Sequence, residues 1–175
     1  MADERVGVAT RPMSPPDAPP RALRDRVRGG LRQGGLSAVA AMLAWAPTQA
    51  FGLREGFWAA ITAVAVTQTQ LNTATSVARD QFAGAAIGGL VATLISLALG
   101  PGPVGFALAL VAAQLLCWII GVDTAARLAG ITAVIIFLVP HQNSALGMTL
   151  SRVGEVGWGV TIAIATVWLF AAVKA

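Results

Sequence analysis

Two clusters of charge interrupt an otherwise oily chain, and each has a spacing suited to a charged ligand. Arg152 and Glu155 stand three residues apart, one helical turn, at the start of the last apolar run. Arg79 and Asp80 close the polar stretch Val66-Thr-Gln-Thr-Gln-Leu-Asn-Thr-Ala-Thr-Ser-Val-Ala-Arg-Asp-Gln81, which separates the apolar runs FWAAITAVA and FAGAAIGGLVATLISLALG. Arginine offers a carboxylate a planar, bidentate donor fork, while Gln, Asn and Thr supply orientable donors and acceptors. On this reading Gln68, Gln70, Arg79 and Arg152 are candidate ligand contacts, the two arginines being suited to an anion. Glu155 lies deeper, among glycines, and an intramembrane carboxylate is a candidate proton carrier.

Each group also has a plain structural reading. Arg79 can snorkel to a membrane interface, and Asp80 suits a helix N-terminus. From Asn72 onward the polar residues read as the start of a loop. Asp123 and Arg127, four apart, can pair along one helical face, as can Arg152 and Glu155. His141, after Pro140, reads as a solvated loop residue. No Gly-rich nucleotide loop with a lysine, no Cys/His ligand spacing and no Ser–His–acid set is present, so neither catalytic residues nor a metal or cofactor is expected. Cys117 is the single cysteine, which excludes an intrachain disulfide.

The elements that must position these residues follow from composition. Only 11% of the 175 residues are charged, against about a quarter in soluble domains, and mean hydropathy is +0.72. These values indicate an all-α integral membrane protein, since lipid offers no partner to exposed backbone amides. Six apolar segments are predicted: Leu36–Leu53, Gly56–Leu71, Phe82–Leu99, Val104–Val122, Ala126–Pro140 and Val153–Val173. Most approach the ~20 residues that cross ~30 Å of hydrocarbon; the second and fifth are short. Residues 1–33 read as a disordered, basic cytoplasmic tail. Its RALRDRVRGGLRQ portion forms a possible amphipathic lead-in to the six-span domain at 34–175. A cleaved signal peptide fits poorly, because the basic region before SAVAAMLAWAPTQA is too long.

Seven of the twelve Lys and Arg residues lie at or before Arg32, so the net charge of +4 belongs to the tail and suits anionic lipid headgroups rather than nucleic acid. With the N-terminus inside, ten basic residues fall on the cytoplasmic side (the seven, plus Arg79, Arg127 and Lys174) and two, Arg54 and Arg152, outside. That asymmetry predicts N-in, C-in topology in a cell membrane, with Trp45, Trp58, Trp118 and Trp158 as an aromatic belt.

The chain also repeats. Ala59-Ala-Ile-Thr-Ala-Val-Ala-Val66 aligns with Ala129-Gly-Ile-Thr-Ala-Val-Ile-Ile136, and in both halves an arginine and a Gly-bearing helix follow (Arg79 with Gly84 and Gly88; Arg152 with Gly154, Gly157 and Gly159). Three spans per unit is odd, so two such units predict a six-helix bundle of two three-helix inverted repeats. The short segments two and five end in polar breaks, Gln68-Thr-Gln-Leu-Asn72 and Pro140-His-Gln-Asn143, and paired short segments point to a transporter binding site. Gly84-Ala-Ala-Ile-Gly88 has the spacing of close helix packing, within a subunit or between two.

GFWAAITAVAVTQTQ followed by ARDQFAGAAIGG, and later DTAARLAGITAVIIFLVP and SRVGEVGWGVTIAIAT, resemble the membrane domain of the fusaric-acid-resistance, or aromatic acid exporter, family. The resemblance covers about Leu36 to Val173. It implies a helical transport domain that exports organic anions such as aromatic carboxylates from a bacterial cell across its inner membrane; plant malate channels look distantly similar. It also marks the Thr that follows the aromatic-Trp-Ala start, Thr62, and its counterpart Thr132 as substrate-binding candidates. Thr69 stands where the family usually has Pro. Family members commonly carry a second membrane half and a cytosolic domain, so a homodimer, a larger homo-oligomer or an additional membrane subunit is expected. The alternative function is a non-transporting membrane scaffold or anchoring subunit of a larger complex.

Overall fold

The computed structural model describes residues 23–52, 55–139 and 144–173. Those residues are all-helical: α1 (Leu23–Ala50), α2 (Phe57–Val66), α3 (Leu71–Leu99), α4 (Pro103–Ile119), α5 (Ala126–Leu138) and α6 (Ala145–Ala172), with a single 3-10 turn, Asp123–Ala125, leading into α5. The expected tail before Leu23, the second polar break at 140–143 with His141, and Arg54 and Lys174 lie outside the described residues.

Local chemistry sets the helix ends. Gly100 and Gly121, at φ 77° and 76°, adopt left-handed conformations that other residues avoid, and stop α3 and α4. Pro103 opens α4 at a position where no backbone N–H is needed. Ser144 caps α6 by accepting from the Gly147 amide at 3.2 Å. α2 and α5 end alike, in an extended residue: Thr67 (φ −64°, ψ 117°) and Val139 (φ −76°, ψ 122°).

One sequence-based boundary differs from the structure: the polar run from Leu71 to Gln81 is not a loop but the first turns of α3. The described part of the basic lead-in is helical and belongs to α1. The segment lengths are also more unequal than a set of six near-complete spans. α3 and α6, with 29 and 28 residues, are long and apolar enough to cross a membrane. α2 and α5, with 10 and 13, reach only about 15 and 20 Å at 1.5 Å per residue.

The interior is built from small residues. Ala40, Ala44, Ala59, Ala63, Ala92, Ala109, Ala113, Ala129, Ala133 and Ala163 are fully buried, while Leu90, Leu94, Leu97, Leu108, Val111, Leu115, Leu150 and Leu169 point outward. A soluble core inverts that arrangement. Small inside and large apolar outside is how helices pack in lipid, where close backbone approach substitutes for a hydrophobic driving force.

α3 and α6 form the central pair. α5 and α4 pack on α3 as α2 and α1 pack on α6, and α4 contacts α5 as α1 contacts α2. Contacts at the crossings are reciprocal. A Cβ at Gly88 of α3 would overlap the Ala129 carbonyl of α5, and one at Gly159 of α6 would come within 2.5 Å of the Ala59 carbonyl of α2. Ala59 and Ala129 are the first residues of the repeated octets. Gly84 likewise packs inside the chain, against Leu128.

Candidate functional site

Arg152 sits in the second turn of α6, where Gly89 of α3 lies against Thr149 one turn earlier. It is 6% exposed. Its guanidinium carbon lies 4.3 Å from the centroid of the Trp58 ring, at the start of α2, and its Nη1 lies 3.9 Å from Glu155 Oε2. At that distance the two charges attract but share no hydrogen bond. Glu155 is held from its own helix, where Ser151 Oγ donates to Oε1 at 3.0 Å. Glu55, just before α2, is within electrostatic reach of both Arg152 and Glu155.

The hydrogen-bond inventory of this cluster is incomplete. Among the described residues, Arg152 Nε and Nη1 and Trp58 Nε1 are buried donors that meet no acceptor, and Glu155 Oε2 and Glu55 Oε2 are buried acceptors that meet no donor. Buried polar groups are nearly always paired, because leaving one unpaired costs about 1–3 kcal/mol and more for a charge. Five such atoms gathered in an apolar bundle mark a place built for polar contact. A carboxylate could accept from Arg152 and Trp58 together, with an aromatic ring stacked on the indole. One guanidinium already lies within electrostatic reach of two carboxyl groups, Glu155 and Glu55.

The other sequence-derived candidates lie elsewhere. Arg79, in the third turn of α3, has a side chain 76% exposed, with Nε 3.8 Å from Asp80 Oδ1; Asp80 also accepts from Thr124 at 3.0 Å. Gln68 is half-buried and Gln70 exposed, in the break between α2 and α3. Thr62 and Thr132 are buried at matching positions. Thr132 donates back to the Leu128 carbonyl of its own helix at 3.1 Å, and Thr62 packs against Gly159 at the crossing of α2 with α6. Asp123 and Arg127 form no ion pair with each other; Arg79–Asp80 and Arg152–Glu155 are the carboxylate–arginine pairs among the described residues. Among the described residues no His, Cys, Asp and Glu side chains gather as metal ligands would.

Three participants escaped the sequence reading. Trp58, read as part of an aromatic belt, covers Arg152 instead. Trp158 similarly donates inward, to the Ala44 carbonyl at 3.0 Å, whereas Trp118 does face outward. Glu55 carried a signal, being one of only four acidic residues after Gln33. Gln33 carried none: its Nε2 donates at 2.8 Å to the Thr67 carbonyl that the end of α2 leaves free.

The described residues are all-helical, with an alanine-lined interior, an apolar exterior and a buried ionic cluster, the arrangement expected of a protein that packs its helices in lipid. A family model described as fusaric acid resistance protein-like matches residues 40–166, and the chain belongs to that family. Membership carries a membrane-transport-related role rather than an enzymatic one. No curated protein and no solved structure matches the chain.

Proposed function

We propose that this chain is a membrane transport domain, exporter or channel, for organic anions such as aromatic carboxylates. The observation that carries the reading is Arg152, buried with two nitrogens that, like the indole N–H of Trp58 beside it, meet no partner among the described residues. Arg152 and Trp58 bind the carboxylate and its ring, Glu155 takes up the accompanying proton, and Arg79 with Gln68 and Gln70 receives the anion at the opposite, solvent-exposed mouth. Thr62 and Thr132 line the path between them at the crossings of α2 with α6 and of α5 with α3.

The architecture in this proposal is a six-helix membrane bundle of two three-helix inverted repeats in a bacterial inner membrane, with both termini cytoplasmic and the polytopic domain beginning near residue 34. Its support is the exchange of α1, α2 and α3 for α4, α5 and α6 that leaves the packing pattern unchanged, together with the paired Gly88–Ala129 and Gly159–Ala59 crossings. Short α2 and α5 are then the discontinuous elements on which transporters build a site. Two copies, as a homodimer, make the working unit, unless a further membrane subunit completes it.

The scaffold reading keeps one observation in its favour: the small-residue crossings close the bundle tightly around Arg152. Flux separates the two. Proteoliposomes holding the purified protein should take up labelled benzoate or dicarboxylate saturably and above protein-free vesicles. Uptake equal to that of empty vesicles for both ligands favours the scaffold.

A further inference from the structure

We propose that the groove between the third to fifth turns of α1 and the last turns of α6 is a binding site for an anionic phospholipid. Its acyl chain lies in the groove, and its phosphate is held by Arg28 and Arg32. The groove encloses about 450 Å³ and is walled by Leu31, Leu36 and Val39 of α1 and Leu169, Phe170 and Val173 of α6. Thr166, the one hydroxyl-bearing residue in the wall, donates to its own helix at the Ile162 carbonyl, 2.7 Å away, and so offers the groove no donor. Its floor is Gly35, where an added Cβ would meet open space. Such a slot accepts hydrocarbon and repels water.

Charge sits at one end of this slot. Arg32, one turn before Gly35, carries its guanidinium carbon 5.0 Å from the centroid of the Phe170 ring. Arg24, Arg28 and Arg32 recur every four residues and therefore form one stripe on α1, about 12 Å long at 1.5 Å per residue. Arg26 adds a fourth positive charge, and Asp25 is the one acidic residue on this part of the helix. Guanidinium groups lead directly into an apolar slot. That order matches a phospholipid entering from the leaflet where α1 emerges: phosphate on the arginines, tail below. A soluble anion has no use for the slot, and a neutral lipid has none for the stripe. The inference needs the chain in a bilayer but not transport, so loss of flux would leave it untouched.

Native mass spectrometry of the full chain, released from detergent after incubation with phosphatidylglycerol or phosphatidylcholine of identical acyl chains, tests it. Wild type should retain phosphatidylglycerol in preference to phosphatidylcholine. Arg28→Gln and Arg32→Gln should each weaken that retention about fivefold, as removal of one surface cation predicts. Gly35→Leu starts from a Cβ that meets open space and fills the slot; it should abolish retention without lowering the thermal unfolding temperature. Equal retention of the two lipids would overturn the proposal. So would full phosphatidylglycerol retention by Gly35→Leu, which would make the contact a headgroup attraction alone. A disulfide between two copies formed through Val39→Cys in membranes would also overturn it, by assigning the groove to a subunit interface.

Discussion

At the scale of single residues, Arg152 and Arg79 show how the same side chain acquires different meaning. Both stand a few residues before glycines of their own helix, and sequence spacing made them equivalent. Burial separates them, because Arg152 lies under Trp58 at 6% exposure while Arg79 extends into solvent beside Asp80. Removing one partner of a buried ion pair leaves an uncompensated charge and costs about 3–5 kcal/mol, whereas an exposed pair contributes little. Arg152→Gln should therefore lower the thermal unfolding temperature in detergent by several degrees, and Arg79→Gln should leave it unchanged. Glu155→Gln introduced on top of Arg152→Gln should recover part of the loss, a coupling that a double-mutant cycle measures. Additive losses would mean that the two groups do not interact. Glu155→Gln alone should also make anion flux insensitive to an imposed pH gradient; flux that still follows the gradient would remove Glu155 from proton transfer.

At the scale of elements, close helix crossings hold the bundle together. Gly88 and Gly159 face backbone across their crossings, so even a methyl group must push two helices apart; Gly154 faces open space. Overpacking of this kind costs about 1–3 kcal/mol. Gly88→Ala and Gly159→Ala should each destabilise the protein to that extent, and Gly154→Ala should be neutral or stabilising by up to about 1 kcal/mol through helix propensity. Equal effects at all three positions, read by thermal unfolding, would contradict the crossings. Hydropathy made the apolar segments legible, including the short second and fifth, whose brevity reappears in α2 and α5. It could not report where helices end, since it marks the edge of lipid rather than the edge of hydrogen bonding. Asn72, Thr73, Thr75 and Ser76 are polar because they lie beyond the oily part of α3, yet their backbone remains helical. The buried cluster was legible only in part. Arg152 and Glu155 share a helix, and spacing paired them; Glu55 and Trp58 reach them from another helix, a relation that depends on tertiary packing.

At the scale of the whole molecule, the proposed account has two halves inserted in opposite senses around a site on α6 and α2. Ser76→Cys and Ser144→Cys, each in a Cys117→Ser background, should be labelled by an impermeant thiol reagent from opposite faces of the membrane. Labelling of both from one face would contradict the inverted repeat. Assembly is a separate matter: crosslinking at membrane-like protein densities should trap two copies, and a monomer throughout would point to the additional subunit or the scaffold. The central claim, that Arg152 receives the anion, is tested most directly by concentration-dependent flux of labelled benzoate in proteoliposomes containing wild type, Arg152→Lys or Arg79→Gln, each first shown to be folded and inserted. Lysine keeps the buried charge, and with it the pairing to Glu155, but lacks the donor fork. Loss of a charge-assisted contact of about 1.5–3 kcal/mol predicts a roughly ten- to hundredfold weaker apparent affinity for Arg152→Lys, with a smaller loss for Arg79→Gln. Wild-type affinity in Arg152→Lys, with the loss appearing in Arg79→Gln instead, would contradict the account and move the binding site to the exposed end of α3.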